Sequence, residues 1–298
     1  MTTATDRGTT GTMRRLAGWL DRHSRARLAM LLAAPMGWLV VAYLGSLALL
    51  FLNAFWSRDA FTGLVVRQFT PDNFIEIFTN PLYRNVTLRT IGMAVVVTLT
   101  CAVIAFPIAY YMARVASPRT KGLLAVAVVM PLWASYLVKA YTWRLILSND
   151  GVLNWLLNPL GLRGPGLGES VVGLWLVFTY LWLPYMILPL YAGLERIPTS
   201  LLEASADLGG RSWTTFRRVI FPLVVPALVA GSIFTFSLTL GDYIAPSLIT
   251  TTQFIGNLIY LNFGVPDLPF AAALSLVPLV IVVLYLLVAR RLGAFEAL

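Results

Sequence analysis

Six long stretches almost free of charge constrain this chain more than any other feature of it. They fall near 28 to 56, 90 to 113, 122 to 147, 170 to 194, 219 to 241 and 268 to 289. Each meets or exceeds the roughly 20 apolar residues that a helix needs to cross about 30 Å of hydrocarbon. The pattern predicts an all-α, polytopic membrane bundle of six helices. Composition agrees: the chain is 58% apolar and 12% charged, whereas a soluble domain carries about a quarter charged residues. So few charges cannot coat a water-facing surface, which argues against a cytoplasmic enzyme, a disordered chain or a nucleic-acid module despite the net charge of +9. The third stretch is the least clean, because Lys139 and Arg144 lie in its second half and must snorkel or face a wet interior. Pro35, Pro107, Pro131, Pro184, Pro189, Pro226 and Pro278 predict kinks that a bundle can accommodate.

The basic residues orient the bundle. Six lie before the first stretch, three in the loop at 114–121, four at 195–218, and two are Arg290 and Arg291, fifteen in all, against seven on the other side when Arg89, Lys139 and Arg144 are assigned there. The positive-inside rule then places both termini and the 195–218 loop in the cytoplasm. The basic balance becomes a topology signal, with a possible role in anionic-lipid contact. The apolar run from Leu28 to Trp56 is far longer than the about 7 to 15 residues of a signal-peptide core, so a retained first span is expected. Residues 1–27 form a Thr/Gly-rich tail without apolar periodicity, expected to be disordered; 28–291 form the membrane domain and 292–298 a cytoplasmic end. Cys101 lies in an apolar run, and the single histidine, His23, excludes most histidine-based metal sites.

The loop at 195–218 carries the most information. Pro198 and Ser200 mark a helix start, and Ser200 with Glu203 has the form of a capping box. Leu201, Ala204, Ser205 and Leu208 fall on one face at helical spacing, and Gly209 with Gly210 supplies a stop. So short a helix is marginal alone in water and needs a partner surface or the membrane interface. The run Glu203-Ala204-Ser205-Ala206-Asp207-Leu208-Gly209, followed by Phe216, Val219, Pro222 and Pro226, resembles the EAA loop of bacterial ABC-importer permeases: E-A-A, three residues, G, then about a dozen residues to a hydrophobic-x-proline. Ser205 at the third position is the one departure, a small residue for a small one. The segments Met130 to Arg144, Leu183 to Tyr191, Gly241 to Pro246, Ile255 to Ile259 and Ala271 to Ser275 are similar to the spermidine/putrescine branch, so that the resemblance covers roughly residues 85 to 290.

That resemblance implies a six-span, non-catalytic permease of the bacterial inner membrane, forming half of a pore with a second, paralogous permease. The implied partners are two copies of an ATP-binding cassette subunit, which uses ATP and Mg, and an extracytoplasmic solute-binding protein. The cargo it implies is a small organic cation such as spermidine or putrescine, or another small solute (an amino-acid derivative, an opine or a phosphonate). Glu203, Ala204, Ser205, Asp207, Leu208, Gly209 and Arg211 would couple the chain to the ATPase by helix-in-groove docking.

The rest of the sequence offers no chemistry of its own. The stretch from Gly161 to Gly168 lacks the Lys-Ser/Thr of a phosphate-binding loop, since Leu167 and Gly168 follow Gly166. Thr239-Leu240-Gly241-Asp242 lacks the first Gly of an intramembrane aspartyl-protease motif, and no second Asp lies in any span. Asp242, at the outer end of the fifth stretch, either lines a cation pathway, snorkels to the interface, or pairs with Lys139 or Arg144. Tyr243, Trp133, Tyr136, Tyr141, Trp182 and Tyr185 sit near span ends, where they serve as an interfacial belt or offer faces to an ammonium group.

Overall fold

The computed structural model describes residues 24–59, 61–160, 167–264 and 267–293. Expectations placed on residues 1–23, including His23, on the 161–166 part of the glycine stretch and on 294–298 lie outside the described residues. The chain divides after Asn53 into two compact units.

The first unit holds α1 (Ser24–Trp38), a π-helical stretch (Leu39–Leu44) and α2 (Gly45–Asn53). Met30–Asn53 is long and apolar enough to cross a membrane, and none of its apolar window is buried within the chain. A helix apolar on every side needs hydrocarbon or another protein around it.

The second unit opens on a two-stranded ribbon and a short helix. β1 (Ser57–Arg58) pairs antiparallel with β2 (Val65–Val66), Ser57 opposite Val66, and α3 (Asp72–Thr79) follows. Asn73 Nδ2 donates to the carbonyls of Ala54 and Trp56 at 2.9 and 2.8 Å, tying this layer down.

The long helices start where local chemistry says they should. Asn80 caps α4 (Pro81–Tyr110) by accepting from the Leu82 amide at 3.0 Å, with Pro81 in the first turn where its missing N–H costs nothing. Ser170 caps α8 (Val171–Glu195) by accepting from Gly173 N at 2.9 Å. Asp267 caps α14 (Leu268–Arg291), which ends on Arg290 and Arg291, favourable charges for a helix C-terminus.

One expected span is not a single helix. The stretch at 122–147 is α5 (Pro118–Trp133) followed by α6 (Tyr136–Leu147), and the chain bends by 94° between them. Ala134 and Ser135 are extended, and Pro131 has already removed a donor from the last turn of α5. Lys139 bridges the break: its Nζ donates to the Pro131 carbonyl at 3.1 Å. A charge that is awkward in a straight span thus meets a carbonyl at the break. Five helices of the described residues can cross a membrane, and the bent pair makes up to six.

After the bent pair come α7 (Val152–Leu157), α8, and at the basic end α9 (Thr199–Asp207) and α10 (Ser212–Thr215). The chain then continues through a π stretch (Phe216–Ile220) into α11 (Phe221–Gly241), α12 (Ile244–Ile249), α13 (Ile255–Gly264) and α14.

The core is the packing of α4, α8 and α11, with Leu174, Phe178, Leu181, Met186 and Leu190 of α8 fully buried at its centre. Hydrocarbon removes most of the hydrophobic drive between helices, so close backbone approach and polar ties have to do more. A Cβ on Gly231 would stand 2.8 Å from Met186 Sδ, and one on Gly193 would collide with Ala227, so these two glycines let α8 and α11 touch. Trp175 Nε1 donates to Thr100 Oγ1 at 3.1 Å, Thr235 Oγ1 to Thr98 Oγ1 at 3.3 Å, and Ser232 shares a 2.6 Å bond with Tyr285. Each tie is worth about 0.6 kcal/mol on average in a membrane. Together they pin α8, α4, α11 and α14 in register.

Candidate functional site

Two regions at opposite ends of α11 answer to the expected site residues. At the basic end, the helix and stop expected in 195–218 are α9 and its turn, and a second short helix, α10, follows. The expected capping box is absent. The cap position of α9 is Pro198 and makes no side-chain bond, while Ser200 already lies inside the helix. Pro198 fixes the chain direction first, so Ser200 and Glu203 match the spacing without occupying the cap.

The far end of α9 closes in a Schellman arrangement. Gly209 has φ +75°, its N–H reaches the Ala206 carbonyl at 2.8 Å, and Gly210 N–H reaches the Ser205 carbonyl at 2.8 Å. A Cβ on Gly210 would be 2.6 Å from the Ser205 oxygen, so the second glycine is also required.

The faces of α9 divide differently from the expected apolar stripe. Leu201, Glu203, Ala204, Asp207 and Leu208 point outward, and Leu208 is 89% exposed. Ser205 does not join them: it is half-buried, and its hydroxyl shares a 2.8 Å bond with Thr215 across the turn. Leu202 packs into the main core. Arg211 is exposed at the cap position of α10. Trp213, which the sequence did not single out, is 69% exposed and stacks on Phe216 at 5.3 Å. An indole on the rim of an amphipathic turn was the available signal.

At the other end of α11, Tyr136, Trp182, Ser237, Gly241, Asp242 and Tyr243 line a recess of about 310 Å³. Asp242 sits in the corner between α11 and α12. Its Oδ1 accepts from the amides of Ile244 and Ala245 at 2.8 and 3.1 Å, satisfying donors at the start of α12. Its other oxygen accepts from the Tyr136 hydroxyl. Neither Lys139 nor Arg144 is its partner among the described residues: Lys139 serves Pro131, and Arg144 lines a separate polar pocket with Asn149 and Glu169. Gly256 makes the corner possible, since a Cβ there would meet the Asp242 carbonyl and lie 3.1 Å from Tyr243 Cα.

The rings of Tyr136, Trp182 and Tyr243 wall this recess, with Tyr185 and Tyr260 packed against them from outside its lining. Tyr136 stacks on Trp182 with centroids 6.0 Å apart, Tyr185 lies 6.0 Å from Trp182, and Tyr243 stacks on Tyr260 at 4.9 Å. Trp182 is only 7% exposed, and its Nε1 and the Ser237 hydroxyl are buried without a hydrogen-bond partner among the described residues. The other two expected aromatics are elsewhere. Trp133 is 88% exposed on a shallow apolar groove of α5, and Tyr141 is exposed on α6. Both have the exposure of belt residues.

A family model described as "Binding-protein-dependent transport system inner membrane component" matches residues 83–295. The inner membrane ABC transporter permease protein YdcU of Escherichia coli (strain K12) is 46% identical over 299 residues, covering 95% of both chains. The spermidine/putrescine transport system permease protein PotB of the same strain is 32% identical over 265 residues, 86% of this chain and 94% of that protein. A chain of the bacterial alginate ABC transporter, solved in complex with alginate pentasaccharide-bound periplasmic protein, has a TM-score of 0.71 at 16% identity, covering 94% of this chain and 98% of that one. Such low identity speaks for the fold alone.

Proposed function

This chain belongs to the binding-protein-dependent transport system inner membrane components, non-catalytic parts of ABC importers, and on that premise we propose that it forms half of the pore of an importer for a small organic cation, with spermidine and putrescine as the leading solutes. In this reading a second, paralogous permease completes the pore, and two ATP-binding cassette subunits, which hydrolyse ATP with the help of Mg, drive it, one of them docking on the exposed side of α9. A solute-binding protein delivers cargo at the opposite end. Both termini and the 195–218 loop lie in the cytoplasm, as the charge asymmetry asks.

The observation that carries the solute class is the recess at Asp242. A carboxylate there, in surroundings of low dielectric, offsets part of the cost of dehydrating an ammonium group. The faces of Tyr136, Trp182 and Tyr243 offer cation–π attraction and a surface for methylene segments. The spermidine and putrescine in PotB's name favour the polyamine reading. YdcU, more similar, is named without a solute, which keeps another small solute as the second reading.

In this proposal Asp242 has two roles in turn. With no cargo it accepts the Tyr136 hydroxyl; an arriving ammonium group exchanges for that hydroxyl while the α12 amides stay capped. Uptake of labelled putrescine by cells carrying the whole transporter, measured with the amount of assembled complex, tests this. Asp242→Asn should lower uptake about tenfold or more, the scale of a lost charge-assisted bond, with assembly retained. Unchanged uptake removes Asp242 from the pathway, and equal loss of uptake and assembly makes it a structural cap.

A further inference from the structure

The junction between α8 and α9 is held from outside. α8 ends at Glu195 and α9 begins at Thr199, so only Arg196, Ile197 and Pro198 connect them. Within the joint the Leu194 carbonyl accepts from the Ile197 amide at a long 3.4 Å, a weak hold where a helix's last carbonyls lack partners in the helix itself. Arg114, in the π turn Tyr111–Val115 that ends the second membrane helix, reaches across the bundle to this joint. Its Nη2 donates to the Leu194 carbonyl at 2.5 Å and to the Ile197 carbonyl at 2.6 Å. One nitrogen thus holds the last turn of α8 and the residue before Pro198 together.

A second tether comes from the same loop. Lys121, in the first turn of α5, pairs with the Glu195 carboxylate and lies 5.6 Å over the Tyr191 ring. The bland account of Arg114 is a positive-inside charge reaching for lipid phosphate. Its geometry argues otherwise: it is half-buried, and its two bonds from Nη2 end on backbone carbonyls that bracket one joint. A planar guanidinium on a helix C-terminus also has the favourable charge for that end of the dipole.

We infer that, given the ATPase-coupling reading of α9, Arg114 is a positioning residue for coupling: it locks α9 to α8 so that displacement of the docked helix moves the span instead of bending the joint. Lys121 supports the lock from one side, but it binds only the α8 end and cannot bridge the joint. Arg114 can, and its backbone is part of a different span, so the lock also ties the coupling loop to α4.

The test uses the complete transporter, with its ATPase and binding protein, reconstituted in proteoliposomes. Arg114→Ala and Arg114→Lys are compared with Gly209→Val, and a spin label is placed at Ser200→Cys in a Cys101→Ala background. Arg114→Ala should assemble and keep its unstimulated ATP hydrolysis, lose about tenfold in solute moved per ATP, and give a more mobile label at position 200. Arg114→Lys should recover part of both, since an ammonium reaches a carbonyl but not in the same geometry. Wild-type uptake per ATP and label mobility in Arg114→Ala overturn the lock. Loss of assembly in both variants in step with uptake also overturns it, leaving a folding role. If Gly209→Val uncouples while Arg114→Ala does not, the lock alone fails; if neither uncouples, the coupling reading of α9 fails.

Discussion

Substitutions at Gly209 offer the sharpest test of the coupling loop, because the structure says what each should cost. Gly209 sits at φ +75°, where an L-residue with a Cβ costs about 1–2 kcal/mol and a β-branched one lies at the top of that range. Asn is tolerated best of the non-glycines there. Gly209→Asn should therefore cost a few tenths of a kcal/mol, Gly209→Ala about 1 and Gly209→Val about 2, the last changing the equilibrium of the turn by up to about 30-fold. Opening the turn breaks the Gly209 and Gly210 amide bonds to the Ala206 and Ser205 carbonyls, and with them the stop that aims Leu208 outward. The bundle is untouched, since nothing lies within 4 Å of a Cβ at 209. Solute uptake and ATP hydrolysis, measured together in proteoliposomes, should show uptake per ATP falling in the order Asn, Ala, Val with assembly constant. Wild-type coupling in the Val variant, or an Asn variant worse than Val, would refute the reasoning, and α9 would then be a helix lying on the membrane surface.

The remaining expectations are simpler to check. A Cys placed at Ser212 in a Cys101→Ala background should resist an impermeant thiol reagent in intact cells and react after permeabilisation; labelling from outside reverses the orientation. Ser205→Ala removes the hydroxyl bond to Thr215 and should lower uptake per ATP by about fivefold or less, the worth of one neutral hydrogen bond, with Ser205→Thr closer to wild type if its hydroxyl keeps the contact; an effect as large as that of Gly209→Val would put Ser205 on the docking face instead.

The apolar stretches were legible because a bilayer demands length and hydrophobicity, which a sequence displays openly. The α9 turn was legible for the same kind of reason: two adjacent glycines after an amphipathic run have few other uses. The break at Ala134 and Ser135 was not, because an apolar run reads the same whether the helix continues or turns by 94°. The signs were present in Pro131, in Ser135 and in Lys139, a charge with no reason to sit in a straight span. Of the fates open to Asp242 in the sequence, the ion pair with Lys139 or Arg144 does not form among the described residues. The neighbours of Asp242 are a hydroxyl 106 residues away and the amides of its own corner, and no local pattern announces a contact at such separation. Arg114 was hidden for the same reason, 80 residues from the Leu194 carbonyl it holds.

The two candidate regions are joined by one element. The helical run Ser212–Gly241 is 30 residues long, about 45 Å, beginning in the turn that carries Leu208 and Trp213 and ending where Asp242 caps α12. α8 runs beside it from Gly173 to Glu195, placing Trp182 against the recess and Glu195 against Lys121. Where Gly231 meets Met186 and Gly193 meets Ala227 there is no slack for one helix to move without the other. The yielding parts of this lever are therefore near its basic end, at the π stretch Phe216–Ile220 and at Pro222 and Pro226, where the regular hydrogen-bond ladder is interrupted. At the far end the bond between Tyr136 and Asp242 ties the lever to the second half of the broken span. A movement of α9 that is not absorbed by bending at those points must either carry α6 along or part Tyr136 from Asp242, which is the one route on this helix by which the turn at Gly209 could act on the recess.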